Sequence, residues 1–370
     1  MPDWQAIRRS YRNNINLCAT VRMHTDYRNT AQDLPTAGNE NTSDRTLAPA
    51  SEAFVQLPYA TPVLKDPSDT KLTRRGLHAE KQSLNLHRGL LFDETRGMKK
   101  SPEKDLIYKR IQEITLEAQH LENHEAEKYI PAHSATQLLS PRAFFASPLF
   151  RVCKDNDVRE TALRIELLEK DSKSLLRYEG PELRQSDGLV FLTLMHLTRD
   201  VQAGVPVSFR AEDVCKVLFG GYDGHSRVRL QLHVQRLQKG LIIANSFSVQ
   251  LCMCFEFPNV GLWTVGLDPK IVGLFQVSRE TWLRLEPRLS LPSGLATWLF
   301  SFAEAQTKLI PMPLKTLREL CGSKSELPAF SNSMRKALKH LVNANIIDSG
   351  WSIRRGEVRW MKALTRAAGA

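Results

Sequence analysis

The sequence predicts an α+β protein: two tandem copies of one unit behind a largely disordered N-terminal region. Three observations predict it. A pattern of short extended piece, short helix, loop, longer basic helix and apolar strand occurs twice, at Pro206–Ile243 and Pro311–Ile347, about 104 residues apart. Charge is segregated along the chain. The first hundred residues are too polar to build a core.

The order of elements in each copy is that of a winged helix-turn-helix, whose second helix enters the major groove of duplex DNA. The net charge of +11 points the same way, toward a polyanion. From Lys324 to Ala370 there are nine bases and three acids, whereas Glu103 to Lys128 carries seven acids and four bases. Six cysteines without a CxxC pair read as core residues of a reducing compartment. With no signal-peptide core and no apolar run near membrane-spanning length, the expected location is the cytoplasm.

Residues 1–100 are expected to be mostly disordered, because the stretch from 29 to 70 offers few large apolar residues to offset its ordering entropy. Residues 101–142 read as a charged helix and linker. Ser101 caps it, Pro102 fills its first turn and Pro131 ends it. Residues 143–285 form the first unit. Its leading helix is read as Asp187–Gln202, capped by Asp187, and its wing as Ser246–Phe257 paired with Gly261–Leu267. Residues 286–366 form the second. Its leading helix is Pro292–Gln306, and Trp351–Met361 makes a hairpin turning at Gly356 and Glu357.

The second helix of the second unit has the cleaner periodicity. Met334, Leu338 and Leu341 share one face. Asn332, Lys336, Lys339, His340 and Asn343 share the opposite one, with Arg335 on its flank. Such a face suits guanine (Arg, Lys), adenine (Asn) and phosphate. Arg354, Arg355 and Arg359 flank the hairpin turn, where a wing would meet neighbouring phosphates or the minor groove. In the first unit, Arg227–Val234 alternates polar and apolar like a strand. Its alignment with the second copy, and Leu230, Val234, Leu237 and Leu241 at helical spacing, make it a helix. Arg227, Arg229, Arg236 and Lys239 are its expected DNA-facing bases, and Val228 and Leu232 are left partly exposed, as at a protein contact.

No catalytic, cofactor or metal set is expected. GxxxxGKS/T and a nucleophile elbow are absent. The Gly-rich loop Gly220–Gly224 lacks phosphate-binding spacing. His120 and His124 are helically spaced, but HExxH would need glutamate where Leu121 stands.

Several segments are similar to a known family. SPRAFFASPLF (Ser140–Phe150), YEGPELRQSDGLVFLTLM (Tyr178–Met195), VQRLQ (Val234–Gln238), IVGLF (Ile271–Phe275), LPSGLATWLFSF (Leu291–Phe302) and LIPMPLKTLRELCGS (Leu309–Ser323), followed by the Phe330–Leu341 helix, resemble the TrfA family of plasmid replication initiators. The resemblance implies two winged-helix domains and binding to direct repeats (iterons) at an origin. It implies opening of the adjacent duplex and recruitment of the host initiator DnaA, the replicative helicase and the sliding clamp. It also implies a homodimer in equilibrium with a DNA-binding monomer. It places Arg335, Lys336 and Lys339 on the base-reading helix of the second domain, and Arg227, Arg229 and Arg236 on that of the first. Some members carry a glutamine-leucine clamp-binding motif. Here Gln82-Ser83-Leu84-Asn85-Leu86, Leu90-Leu91-Phe92 and Gln137-Leu138-Leu139 are candidates, none with the full pattern. The alternative reading is a winged-helix transcriptional regulator or autorepressor with no role in unwinding.

Overall fold

In the computed structural model, residues 56–64, 72–153, 157–167, 175–257 and 261–363 are described. All of them lie within one contact unit, Ala53–Ala370. After a short strand β1 (Thr61–Pro62) come two long helices, α1 (Arg74–Thr95) and α2 (Pro102–Lys128). The Ser101 side chain accepts the Lys104 backbone N–H at 3.2 Å, so α2 starts where its cap places it. Helix α1 corrects the expectation of disorder for the last part of residues 1–100. Its own hydrophobic signal is weak, and it is held by partners distant in sequence. Leu77 is fully buried, and Arg74 bonds the carbonyls of Arg199 and Ile130 and pairs with Glu125. The remainder of that region, residues 1–55 and 65–71, lies outside the described residues.

The first unit follows. Strands β2 (Gln137–Pro141), β3 (Phe150–Arg151), β4 (Leu163–Leu167), β5 (Leu176–Gly180) and β6 (Leu183–Arg184) lead to α3 (Gln185–Leu197). Then come β7 (Val207–Arg210), α4 (Ala211–Phe219) and α5 (Gly224–Gln238). Gly220 ends α4 at φ 77°, a left-handed conformation open to glycine, and Asp223 caps α5 by accepting the Ser226 N–H at 2.6 Å. Strands β8 (Leu241–Ile243), β9 (Ser248–Gln250), β10 (Cys254–Glu256) and β11 (Leu262–Gly266) complete it.

Two boundaries differ from expectation. Helix α3 begins at Gln185, and Asp187 sits inside its first turn rather than at its cap. The strand expected over Ser246–Phe257 is two strands in two sheets. β9 joins the order β4-β5-β8-β9, and β10 joins β1-β7-β11-β10. A period-2 pattern cannot reveal that a strand breaks between sheets.

A 3-10 turn (Pro269–Val272), α6 (Gly273–Val277), β12 (Glu280–Arg284) and α7 (Leu285–Ser290) bridge to the second unit. It contains α8 (Leu295–Ala305), β13 (Met312–Pro313), α9 (Leu314–Leu320), α10 (Leu327–Asn343), β14 (Ser352–Arg354) and β15 (Glu357–Arg359). Its sheet order is β13-β15-β14. In both units, therefore, the strand ahead of the helix pair bonds the second strand of the later hairpin, as β7 does β11 and β13 does β15. The final hairpin turns at Arg355-Gly356, one residue before the expected position, since Arg354 pairs with Glu357.

Each unit has its own apolar core. Phe191, Leu230, Val234 and Trp263 belong to one, and Trp298, Phe300, Met334 and Leu338 to the other. The β2–β12 ribbon stands between them: Leu139 enters the first core while Leu138 and Leu283 enter the second. Polar contacts also join the units. Val152 N–H donates to the Cys321 carbonyl at 2.9 Å, Lys324 pairs with Glu160 at 2.8 Å, and buried Arg288 donates to the Gln185 carbonyl at 3.2 Å.

Candidate nucleic-acid interface

Helix α10 divides as its sequence period dictates. Phe330, Met334, Ala337, Leu338 and Leu341 are buried. Asn332, Arg335, Lys336, Lys339, His340 and Asn343 are all exposed. None of the four cationic or imidazole groups on that face has an ion-pair partner among the described residues. The result is a solvated, acid-free surface of unspent hydrogen-bond donors. At the nearby hairpin, Arg354 and Arg355 are exposed, and Arg359 is held by Glu357 at 3.0 Å. Arg355 and Gly356 both take positive φ, 51° and 76°, as two-residue type I′ loops require.

Helix α5 is a helix, as the repeat required, but its bases are placed differently from expectation. Arg236 turns inward: its Nε donates to the Asp187 carboxylate at 2.7 Å, and its side chain is only 21% exposed. It is a structural cation, and the expectation that it faces DNA is corrected. Asp187 is fully buried and also accepts from His233 Nδ1 (2.7 Å), Arg159 (2.7 Å) and the Arg184 backbone N–H (2.8 Å). Burial alone would raise its pKa. The His233 hydrogen bond and the charges of His233, Arg236 and Arg159 prevail and hold the carboxyl well below its usual range. Burial in turn lowers the pKa of His233 against the pull of Asp187. This knot ties α5 to α3. Arg229 is exposed and lies over the Phe219 ring, 4.5 Å from its centroid. Arg227 sits on the flank, half-buried, and Lys239 is exposed.

Applied residue by residue, the 104-residue offset aligns the two helices by burial. Leu230, Val234 and Leu237 match Met334, Leu338 and Leu341, all buried. The outward positions of α10 then correspond to Val228, Gln231, Leu232, Gln235, Arg236 and Lys239 of α5, and of these Arg236, opposite His340, turns inward to Asp187. Val228 is 54% and Leu232 47% exposed. Selection by charge passed over Gln231 and Gln235; the offset itself was the signal that could have found them.

Of the glutamine-leucine segments, Gln137-Leu138-Leu139 is ruled out as a docking motif. It forms strand β2, with Leu138 and Leu139 fully buried. Gln82, Leu86 and Leu90 are exposed on α1. Among the described residues no helix is long and apolar enough to cross a membrane, and no group of three or more His, Cys, Asp or Glu residues is placed to hold a metal ion.

These features define a two-unit α+β chain whose units share one strand, helix-pair and hairpin plan and turn the longer helix outward. The chain belongs to the TrfA protein family, whose family model matches residues 128–355. The plasmid replication initiator protein TrfA of Escherichia coli is 25% identical over 196 residues, covering 50% of this chain and 50% of that protein. The chain thus spans about half the length of this relative. Among solved structures, selenomethionine domains 2 and 3 of RctB align with a TM-score of 0.40 at 12% identity, covering 60% of this chain and 98% of that one. A second structure of RctB domains 2–3 gives 0.33 at 11% identity, covering 57% and 85%.

Proposed function

We propose that this protein is a plasmid replication initiator made of two winged-helix modules that grip direct repeats at an origin. One observation carries the proposal beyond family membership: α5 and α10 bury matching positions, Leu230, Val234 and Leu237 against Met334, Leu338 and Leu341, on a common strand order. Two equivalent modules on one chain suit a site about two helical turns long. In the second module, Asn332, Arg335, Lys336, Lys339, His340 and Asn343 face the major groove. Arg354, Arg355 and Arg359 meet flanking phosphates. In the first, Arg227, Arg229 and Lys239 supply backbone contacts. The protein acts by what it holds: it opens the adjacent duplex and gathers the host DnaA, helicase and clamp, and it exchanges between a homodimer and a DNA-binding monomer. The clamp-facing candidate is the exposed Gln82, Leu86 and Leu90 surface of α1.

Supplied in trans, the gene should sustain a plasmid carrying only the repeat array beside it. Lys336→Ala and Lys339→Ala should each weaken binding to that array by about 1–3 kcal/mol if they read bases. Wild-type affinity in both variants would remove α10 from the interface. Repression of a promoter without plasmid maintenance would return the protein to the regulator class.

A further inference from the structure

The two outward helices present different chemistry at equivalent positions. Where α10 carries Asn332, Arg335, Lys336 and Lys339, α5 carries Val228, Gln231, Leu232 and Gln235. Val228 and Leu232 lie one helical turn apart and are 54% and 47% exposed. Gln231 and Gln235 are half-buried beside them, and exposed Lys239 follows at the C-terminal end. The whole surface lacks acids, and Arg227 and Arg229 stand on its two flanks. An aliphatic pair on a solvated helix face contributes nothing to the core that the buried Leu230, Val234 and Leu237 do not already supply.

Duplex DNA offers that pair a specific match. The 5-methyl of thymine is the apolar group exposed in the major groove, and a glutamine amide pairs bidentately with adenine N6 and N7. The guanine-reading groups, arginine and lysine, fill the corresponding α10 positions and are missing from the centre of α5. Arg236, the arginine nearest that face, is committed to Asp187. The cations on the flanks favour a polyanion over an apolar protein surface.

We infer that α5 reads A·T pairs, Val228 and Leu232 packing on thymine methyls and Gln231 and Gln235 bonding adenine, so that each repeat has an A·T half under α5 and a guanine-containing half under α10. This deepens the proposed function and rests on it.

The test uses the full chain and a duplex selected by it from a randomised pool. Each thymine is then replaced by uracil, which removes only the methyl, and binding is measured at fixed salt. Uracil at one cluster of positions should weaken binding about three- to tenfold per methyl. The double variant Val228→Ala, Leu232→Ala should bind thymine and uracil duplexes alike, whereas Lys336→Ala keeps the full difference. Both substitutions are on an exposed helix face, and unchanged thermal melting shows that folding is intact. Two results overturn the inference: uracil without effect at every position, or a thymine preference that survives in the double variant. If instead the double variant keeps that preference but dissociates a dimer in sedimentation, the surface is a subunit contact and the inference falls. Failure of the pool to enrich any sequence overturns the proposed function itself.

Discussion

At position 355 the chain holds an arginine in a left-handed conformation that costs a non-glycine residue roughly 1–2 kcal/mol. Two-residue hairpin loops of this kind favour Asn-Gly. Arg355→Asn should therefore raise stability by about 0.5–1 kcal/mol while weakening DNA binding, read by urea unfolding and by anisotropy on one preparation. Lower stability in that variant would show that the arginine is held by contacts rather than strained. Asp187 is the opposite case, a residue kept for structure. Its carboxylate gathers His233, Arg236 and Arg159 in the interior. Asp187→Ala leaves those groups unpaired, and about 3–5 kcal/mol of stability should be lost. Because Asp187 has a depressed pKa, its contribution is present above the ordinary aspartate pKa and fades only as pH falls toward the folded value.

At the scale of elements, α1 and α10 make the contrast. Helix α10 has a strong amphipathic period and would be recognised in isolation. Helix α1 has mean apolar character too low to stand alone, and it is held by packing along α2 with its N-terminal turn as anchor. Glu125 of α2 receives Lys81 at 2.7 Å as well as Arg74, and Leu77 is buried beneath them. Burial alone would raise the Glu125 pKa, but Lys81 and Arg74 lower it. Leu77→Ala should cost about 2–5 kcal/mol. If α1 depends on that anchor, limited trypsin digestion of the variant should cut first within residues 74–95. Unchanged protection there would mean that the helix is held elsewhere.

For the molecule as a whole, acid sensitivity follows from a histidine pair, His196 buried and His133 half-buried. His133 and His196 lie 5.4 Å apart between ring centroids. Burial pushes His133 down to about 4; Arg199 and Arg74 add to the shift, while the Pro131 carbonyl and Asp200 oppose it. Burial pushes His196 down to about 3, with Arg199 and His133 adding to it and the Gln137 carbonyl opposing. Both rings are neutral when folded and charge on unfolding below the free histidine pKa of about 6.5. Stability should therefore fall as pH drops from about 6.5 toward 4, at up to roughly 1.4 kcal/mol per pH unit for each ring. His133→Gln, His196→Gln should flatten urea midpoints across that window; an unchanged slope would assign the acid response to other groups.

The sequence by itself determined the repeat, the outward face of α10 and the cap of α2, because periodicity and capping are local physics. The same holds for the helical state of α5, although only the repeat, not its strand-like alternation, revealed it. Tertiary structure decided what depends on partners far along the chain. It folded Arg236 onto Asp187, split one expected strand between two sheets, raised α1 from a polar segment and sealed Gln137-Leu138-Leu139 inside a ribbon. A charge announces itself in sequence, but whether it meets solvent or a buried carboxylate is set by a contact 49 residues away.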